Sequence, residues 1–514
     1  VYLILTASKD TYITDKIINS SFRATDSNLG RAGTIDLFKL YDESVISGES
    51  APYEVSRALL KFDYGQIRSL TGSVLNINSP NFKCILKMQD ALGTQTVPRN
   101  FHLVAYPLSK SFDEGDGRDV SSFGDIDVAN FVTASYSGGT VYPWFVSGAN
   151  KLGLLGSADI DVIGSGNLGS GIEQLGAIQH FDEGTENFEV DVTKIVSATI
   201  SGQIPDCGFR VSFIPSEEQD TKTRFVKRFG SRHSKNVYLR PTVHVMFDDV
   251  IQDNHASFVF DTTGSIFLIN YHRSLPSNIL SGSSLTPISG QNCLSVTLKT
   301  GSFTKTVFAS SYTGSTTGQG LDGVYQTSFA IPYSDSSIVI GSSSVSDFAA
   351  KSGSLKFLET WHSNDGKIGF YTGTLEIQSP YRSAFSSVPR KPTIAVTNLL
   401  GSYKTSDIVK VRLFGVDSLN YQNRPAKSLI NAKSEVFENL FYRVVDADLG
   451  TVVIPYTRSN NATRCSIDSD GMYFNFRMSS LYSGRVYYFE FLLADRGVEF
   501  QIEEKSPMFR VDAS

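Results

Sequence analysis

Apolar residues that recur at every second position constrain this chain more than anything else in its sequence. Within Cys207–Asp249, Phe209, Val211 and Phe213 alternate with Arg210 and Ser212, and Val243, Val245 and Phe247 alternate with Thr242, His244 and Met246. Successive side chains of a strand point to opposite faces, so this pattern means a sheet with one buried face. Phe188, Val190 and Val192 repeat it against Glu189, Asp191 and Thr193. In Ala58–Asp63 both sets are partly apolar, which predicts a central strand covered on both sides. Between the two strands of the first segment, Lys222, Arg224, Lys227, Arg228, Arg232, His233 and Lys235 form the densest positive cluster, read as a long basic loop.

At 514 residues the chain exceeds one ordinary core. The alternation closes a first unit near residue 250. Short strands bounded by Ser, Gly, Asn and Asp turns then follow at roughly 8–12-residue spacing, the signature of a sandwich. Asp365-Gly366 supplies a hairpin turn that accepts positive φ. Val388–Val396 reads as a linker into a third unit, whose strands include Ile408–Asp417 and Arg485–Asp495. The expectation is therefore an all-β chain of three tandem β-sandwich domains: a jelly roll over 1–250, a sandwich over 251–389 and an Ig- or fibronectin-like sandwich over 390–514. With 35 Phe and 23 Tyr but only five Met and two Trp, the composition suits β-sandwiches rather than helical bundles.

A net charge of −6 gives no global field to hold nucleic acid. No run of about 18 apolar residues is present for a membrane span. Val1–Asp10 turns polar too soon for a signal peptide, and the missing initial Met leaves processing open. Cys84, Cys207, Cys293 and Cys465 lie far apart in strand-like runs and read as buried free thiols.

Motifs that would carry catalysis are missing: no HExxH, GxSxG, Walker loop or EF-hand series occurs. Gly164–Gly169 matches GxGxxG, but no helix follows to receive a pyrophosphate, so it reads as a loop. The acidic loop holding Asp113, Glu114, Asp116 and Asp119 offers closely spaced oxygens; a solvated loop and a calcium site are its two readings. A glycosidase needs two acids converging in a cleft, for which Asp182, Glu183, Glu186, Glu189 and Asp191 are candidates, but their Thr and Gly neighbours favour turns. Histidines 102, 180, 233, 244, 255, 272 and 362 are scattered without ligand spacing and read as ordinary hydrogen-bonding residues. Tyr136, Tyr142 and Trp144 cluster with Phe145 either as a stacking platform for sugar or as an aromatic minicore. For the basic segment, three readings stand: arginines paired with neighbouring acids, a docking surface for an acidic protein, or contact with an acidic polymer.

An ordered set of segments resembles the DNRLRE-type domain, a jelly roll related to carbohydrate-binding modules. The set comprises Asp10-Tyr12, Asn28-Leu29-Gly30, Arg57–Asp63, Val190–Thr193 and Arg240–Val245. Residues 113 to 179 depart from that compact pattern. Modules of this kind often hold a structural calcium, and Phe229–Arg232 is similar to a fold-closing segment of theirs. The later pair of units, with Gly323–Pro332, Phe357–Gly373 and Asp468–Gly497, resembles the C-terminal halves of tailed-phage virion proteins, marine phages especially. What these resemblances imply is a non-enzymatic structural protein of a bacteriophage virion, in tail, baseplate, fibre, neck or capsid-associated position, with no cofactor. Its expected partners are other virion proteins, copies of itself and a host surface glycan. An extracellular carbohydrate-binding adhesin or module is the alternative.

Overall fold

The computed structural model describes residues 1–514 apart from 45, 47–52, 72–74, 92, 94–95, 123, 170, 274, 283–284, 314–319, 336–337, 341–342, 346, 348–352, 381–390, 418–433 and 496. The boundary expected at residue 389, with residues 388–390 of the expected linker, falls outside the described residues; the rest of that linker is not a connector, since Pro392–Val396 is a strand paired with Ile408–Asp417. The chain is all-β and separates into two compact units, one of residues 3–69 and 82–246, the other of 1–2, 70–81 and 247–514.

The first unit is organised by a sheet running Ala177–Phe181, Phe101–Pro107, Phe209–Phe213, Tyr53–Phe62, Tyr2–Thr14, Thr242–Met246, Lys83–Met88 and Phe188–Asp191. Thr34–Tyr41 extends it, pairing with Tyr53–Phe62 on one side and Arg224–Gly230 on the other. A register shift between Ala7 and Lys9 in the long first strand lets the sheet curl. The inner face is phenylalanine-rich. Phe101 stacks on Phe181 with centroids 4.8 Å apart, and Phe62 meets Phe209 edge-on at 6.2 Å. Each ring buried this way contributes about 1.5–3 kcal/mol.

The opposite face of the same strands is buried too, as the double patterning of Ala58–Asp63 predicts. Leu59, Val104 and Tyr106 pack under Phe112 and under Ala129, Trp144 and Val162, the last three from the segment that departs from the compact pattern. That cover corrects one detail of the sequence reading. Arg210, assigned to a polar face, is 2% exposed and lies over the Tyr106 ring while donating to the Ala149 carbonyl at 2.9 Å. Burial and the neighbouring Arg57 hold its pKa down at about 10. Arg57 is itself clamped by both oxygens of Glu218 at 2.9 and 2.8 Å.

The second unit contains two sets of sheets. Gly264–Ile269, Gly320–Phe329, Phe303–Thr313, Leu294–Thr300, Ser354–His362 and Gly369–Gln378 form an antiparallel sheet that wraps Trp361, Tyr325, Phe357 and Phe260. Its Phe303–Thr313 strand pairs with Leu294–Thr300 through residues 303–309 and with Gly320–Phe329 through 310–313, so it turns the corner between the halves. Downstream, a four-stranded sheet centred on Ile408–Asp417 and Gly471–Arg477 accompanies a six-stranded one centred on Leu440–Asp446 and Arg485–Asp495. Between these two sheets, Tyr442 stacks on Phe474 at 4.1 Å and Phe489 meets both Phe474 and Phe476. The expected hairpin glycine, Gly366, takes a positive φ of 70°, and Gly471, which opens the strand Gly471–Arg477, takes one of 119°.

Candidate functional site

The basic segment is where charge is densest, and it is not a loop. Arg224–Gly230 is a strand antiparallel to Thr34–Tyr41, with Arg224 opposite Lys39 and Arg228 opposite Asp36. A register shift between Arg224 and Lys227 interrupts the alternation, so a strand carrying three cations in seven residues does not look like one. The docking residues named from the sequence therefore divide. Lys222 and Lys235 are exposed, Arg228 and Arg232 are half-buried, and Arg224 and Lys227 are buried.

Each inward cation has its acid. Arg224 clamps Asp220 through two nitrogens at 2.9 and 2.7 Å, and Lys39 reaches the same carboxylate at 2.9 Å. The Arg224 and Lys39 hydrogen bonds hold the Asp220 carboxyl far below the usual range. Arg228 grips Asp36 at 2.7 and 2.6 Å. Lys227 bonds Asp90 at 2.5 Å and the carbonyls of Gly184 and Glu186 at 2.8 Å, with its ammonium over the Phe181 and Phe229 rings. Arrangements of this kind latch strands together, and they leave Arg224 and Lys227 nothing to offer a partner.

The acidic loop is drawn into the same latch. Asn28 accepts from Gly117 N–H at 2.7 Å and donates to the carbonyls of Glu114 and Ala129, both at 2.8 Å. The two loops touch backbone to backbone: a Cβ on Gly117 would sit 1.8 Å from the Asn28 carbonyl oxygen. Asp113 accepts from Tyr136 N–H and pairs Lys9, Glu114 takes the Arg232 fork, Asp116 pairs Arg31 at 2.7 Å, and Asp119 accepts from Ser121 and Ser122. The four acids thus face four different partners. Among the described residues the candidate metal group is instead Asp10, Glu114 and His233, with one ligand atom each within 4.8 Å of the others. Arg232 occupies that group, its fork on Glu114 and its backbone N–H on Asp10 at 2.5 Å. Burial pushes the Asp10 carboxyl up to about 7, with the Arg232 N–H opposing.

Trp144 belongs to the minicore. It is 4% exposed, and its Nε1–H donates to the Asn130 carbonyl at 3.0 Å, so it is no sugar platform. Trp144→Phe keeps the packing and orphans that carbonyl. The expected cost is about 1–2 kcal/mol in urea denaturation. Tyr136 and Tyr142 do reach solvent, on the hairpin Thr133–Ser137 and Thr140–Pro143. Around them Val141, Phe145, Val146 and Leu152 are also exposed, so the cover segment is apolar on its outside as well as its inside.

The remaining acids serve local structure: Glu186 accepts from the N–H groups of Asp182 and Glu183, Glu189 pairs Lys87, and Asp191 accepts from Thr193 N–H. Gly164–Asn167 lies in a strand, Val162–Asn167, not before a helix. The four cysteines are free, Cys84 and Cys465 buried and Cys207 and Cys293 partly so. In the second unit a cleft of about 650 Å³ is lined by amide, hydroxyl and carboxylate side chains, including Asn278, Gln291, Asn292, Ser310 and Asp322. Its residues come from four separate stretches, which spacing does not reveal.

No family model matches the chain, and no curated protein matches it either. Among solved structures it is similar to a DUF3823-family protein from Bacteroides ovatus at 12% identity, over 49% of this chain and 99% of that one, with a TM-score of 0.14. The D00-D0 domain of intimin follows at 10% identity, 50% and 94% coverage and a TM-score of 0.13. The BSP domain of a biofilm-associated protein covers 100% of this chain and 90% of its own at 9% identity, with a TM-score of 0.15. At such scores these likenesses carry no argument about function.

Proposed function

We propose that this chain is a non-enzymatic building block that acts through protein–protein interfaces, and that its setting is the virion of a tailed bacteriophage. One observation supports the interface reading above the rest: the cover segment of the first unit exposes Tyr136, Val141, Tyr142, Phe145, Val146 and Leu152 on a framework whose charges are already neutralised internally. Apolar side chains gathered on one segment suit burial against another subunit. The sandwiches behind them supply the stiffness an assembly needs. The virion setting rests on the resemblance of the later units to tailed-phage proteins.

Purified full-length chain should associate in sedimentation experiments, and mass spectrometry of purified phage particles should find it. The double variant Val141→Asp/Tyr142→Asp should keep its far-UV circular dichroism and lose at least about tenfold in association, since desolvating two new carboxylates at an interface costs more than 1.4 kcal/mol. A monomer found in no particle would sink the proposal. The polar cleft near Asn278 and Asp322 favours a second reading, glycan binding. Polysaccharide binding abolished by Asn292→Ala, with association unchanged, would put that reading first.

A further inference from the structure

Two histidines that the sequence separates by 78 residues meet on the first unit's sheet. His102 and His180 are register partners on Phe101–Pro107 and Ala177–Phe181, the latter an end strand. Nε2 of His102 faces Nδ1 of His180 at 3.2 Å. The outer nitrogens are both held by acids: His102 Nδ1 lies 2.9 Å from Glu217 Oε1, and His180 Nε2 lies 3.0 Å from Asp182 Oδ1. Glu217 is itself fixed, since Oε2 accepts the His102 backbone N–H at 2.9 Å. Both imidazoles are 38% exposed, so the pair is open to solvent.

The hydrogen-bond chemistry narrows what can sit in the middle. A carboxylate oxygen only accepts, so each outer nitrogen carries the hydrogen, and a neutral imidazole has just one. Both inner nitrogens then present lone pairs to each other across 3.2 Å, an arrangement that is repulsive unless a proton or a metal ion sits between them. Carboxylates on the far nitrogens are also the usual outer support of metal-bound histidine, fixing ring and tautomer. With metal–nitrogen bonds of about 2.0–2.1 Å, a tetrahedral centre sets its ligand nitrogens about 3.3 Å apart and a right-angled one about 2.9 Å. The observed separation falls in that interval.

We propose that His102 and His180 form a binding site for one divalent transition metal of the imidazole-preferring kind, Zn²⁺ or Cu²⁺, with Glu217 and Asp182 as positioning residues and water in the open positions. Calcium and magnesium, which take oxygen ligands, are not its ions.

Isothermal titration of the full chain with ZnCl₂ should show one equivalent bound, with affinity cut at least about tenfold by His102→Gln and by His180→Gln. Asp182→Asn, at an 85% exposed side chain, leaves the fold intact and should weaken binding by about 10-fold or more. With Cu²⁺ as probe, electron paramagnetic resonance should show coupling to two nitrogens in the native chain and to one in either histidine variant. Far-UV circular dichroism of each variant checks that it is folded. The site is overturned by no uptake at millimolar Zn²⁺, by uptake unaffected by both histidine variants, or by uptake lost in His233→Gln instead. The last would move the metal to the Asp10–Glu114–His233 group. A pair that takes up only a proton, seen by NMR as one shared hydrogen with Zn²⁺ present, also overturns it.

Discussion

Lys227→Ala should lower the stability of the first unit by about 3–5 kcal/mol, the cost of leaving one member of a buried ion pair without its partner. The lysine is 0% exposed, and burial pulls its pKa below the ordinary value despite Asp90 beside it. Without it, the Asp90 carboxylate and the carbonyls of Gly184 and Glu186 lose their shared donor, and water has little access to replace it. Lys222→Ala, in the exposed stretch just before the strand, should stay within about 0.5 kcal/mol of the native chain. Urea denaturation of both variants reads the difference. A double cycle with Asp90→Asn separates the pair from simple packing: removing both charges should cost less than the sum of the single changes. If Lys227→Ala and Lys222→Ala unfold at the same urea concentration, the latch is not what holds this edge of the sheet. The same argument bears on charge reversal at Arg224, Lys227 and Arg228. Had the segment been a free loop, reversal would spare the fold and impair assembly. Two of the three cations are interior, so reversal is expected to unfold the unit before any interface is tested.

What could be read in the chain and what could not follows from the range of each signal. Alternation is local, and Phe209–Phe213, Thr242–Met246 and Tyr53–Phe62 are strands where it was found. The double patterning of Ala58–Asp63 announced a cover on both faces, which proved to be the long segment that departs from the jelly-roll pattern. Arg224–Gly230 escaped because a bulge breaks its period and because cations in sequence look solvated until their acids are known. Those acids, Asp36, Asp90 and Asp220, come from three other places in the chain. The acidic loop suffered the same fate: four acids that look like a ligand set are shared among Lys9, Arg31, Arg232 and two serines. His102 and His180 carry no spacing signal at all, since cross-strand register alone brings them together. Trp144 left platform and minicore both open, and only the depth of the cover decides for the minicore.

The second large effect belongs to His255, in the second unit, and it sets a pH dependence whose direction can be worked out. Its Nδ1 lies 2.6 Å from Asp253 and its Nε2 lies 2.9 Å from Glu359, whose other oxygen accepts from the Trp361 indole. Burial alone would lower the imidazole pKa, but hydrogen bonds and charge from Asp253 and Glu359 outweigh it and push it up to about 10. In the unfolded chain the value returns to about 6.5. The folded pKa lies above the unfolded one, so the stabilisation is complete below about pH 6.5 and drains away as pH rises toward 10. Between those limits the native chain should lose on the order of 3–5 kcal/mol from this group. His255→Gln can still bond one carboxylate but leaves two acids without a counter-charge. It should therefore be destabilised by about 3–5 kcal/mol at pH 6.5 and by far less at pH 10.5. Trp361 supplies the local readout, followed in the Trp144→Phe background so that its fluorescence is unmixed. Native and variant stability curves should converge as pH rises; curves that stay parallel from pH 6.5 to 10.5 would mean that His255 is neutral in the folded chain and that its two carboxylate contacts do not raise its pKa.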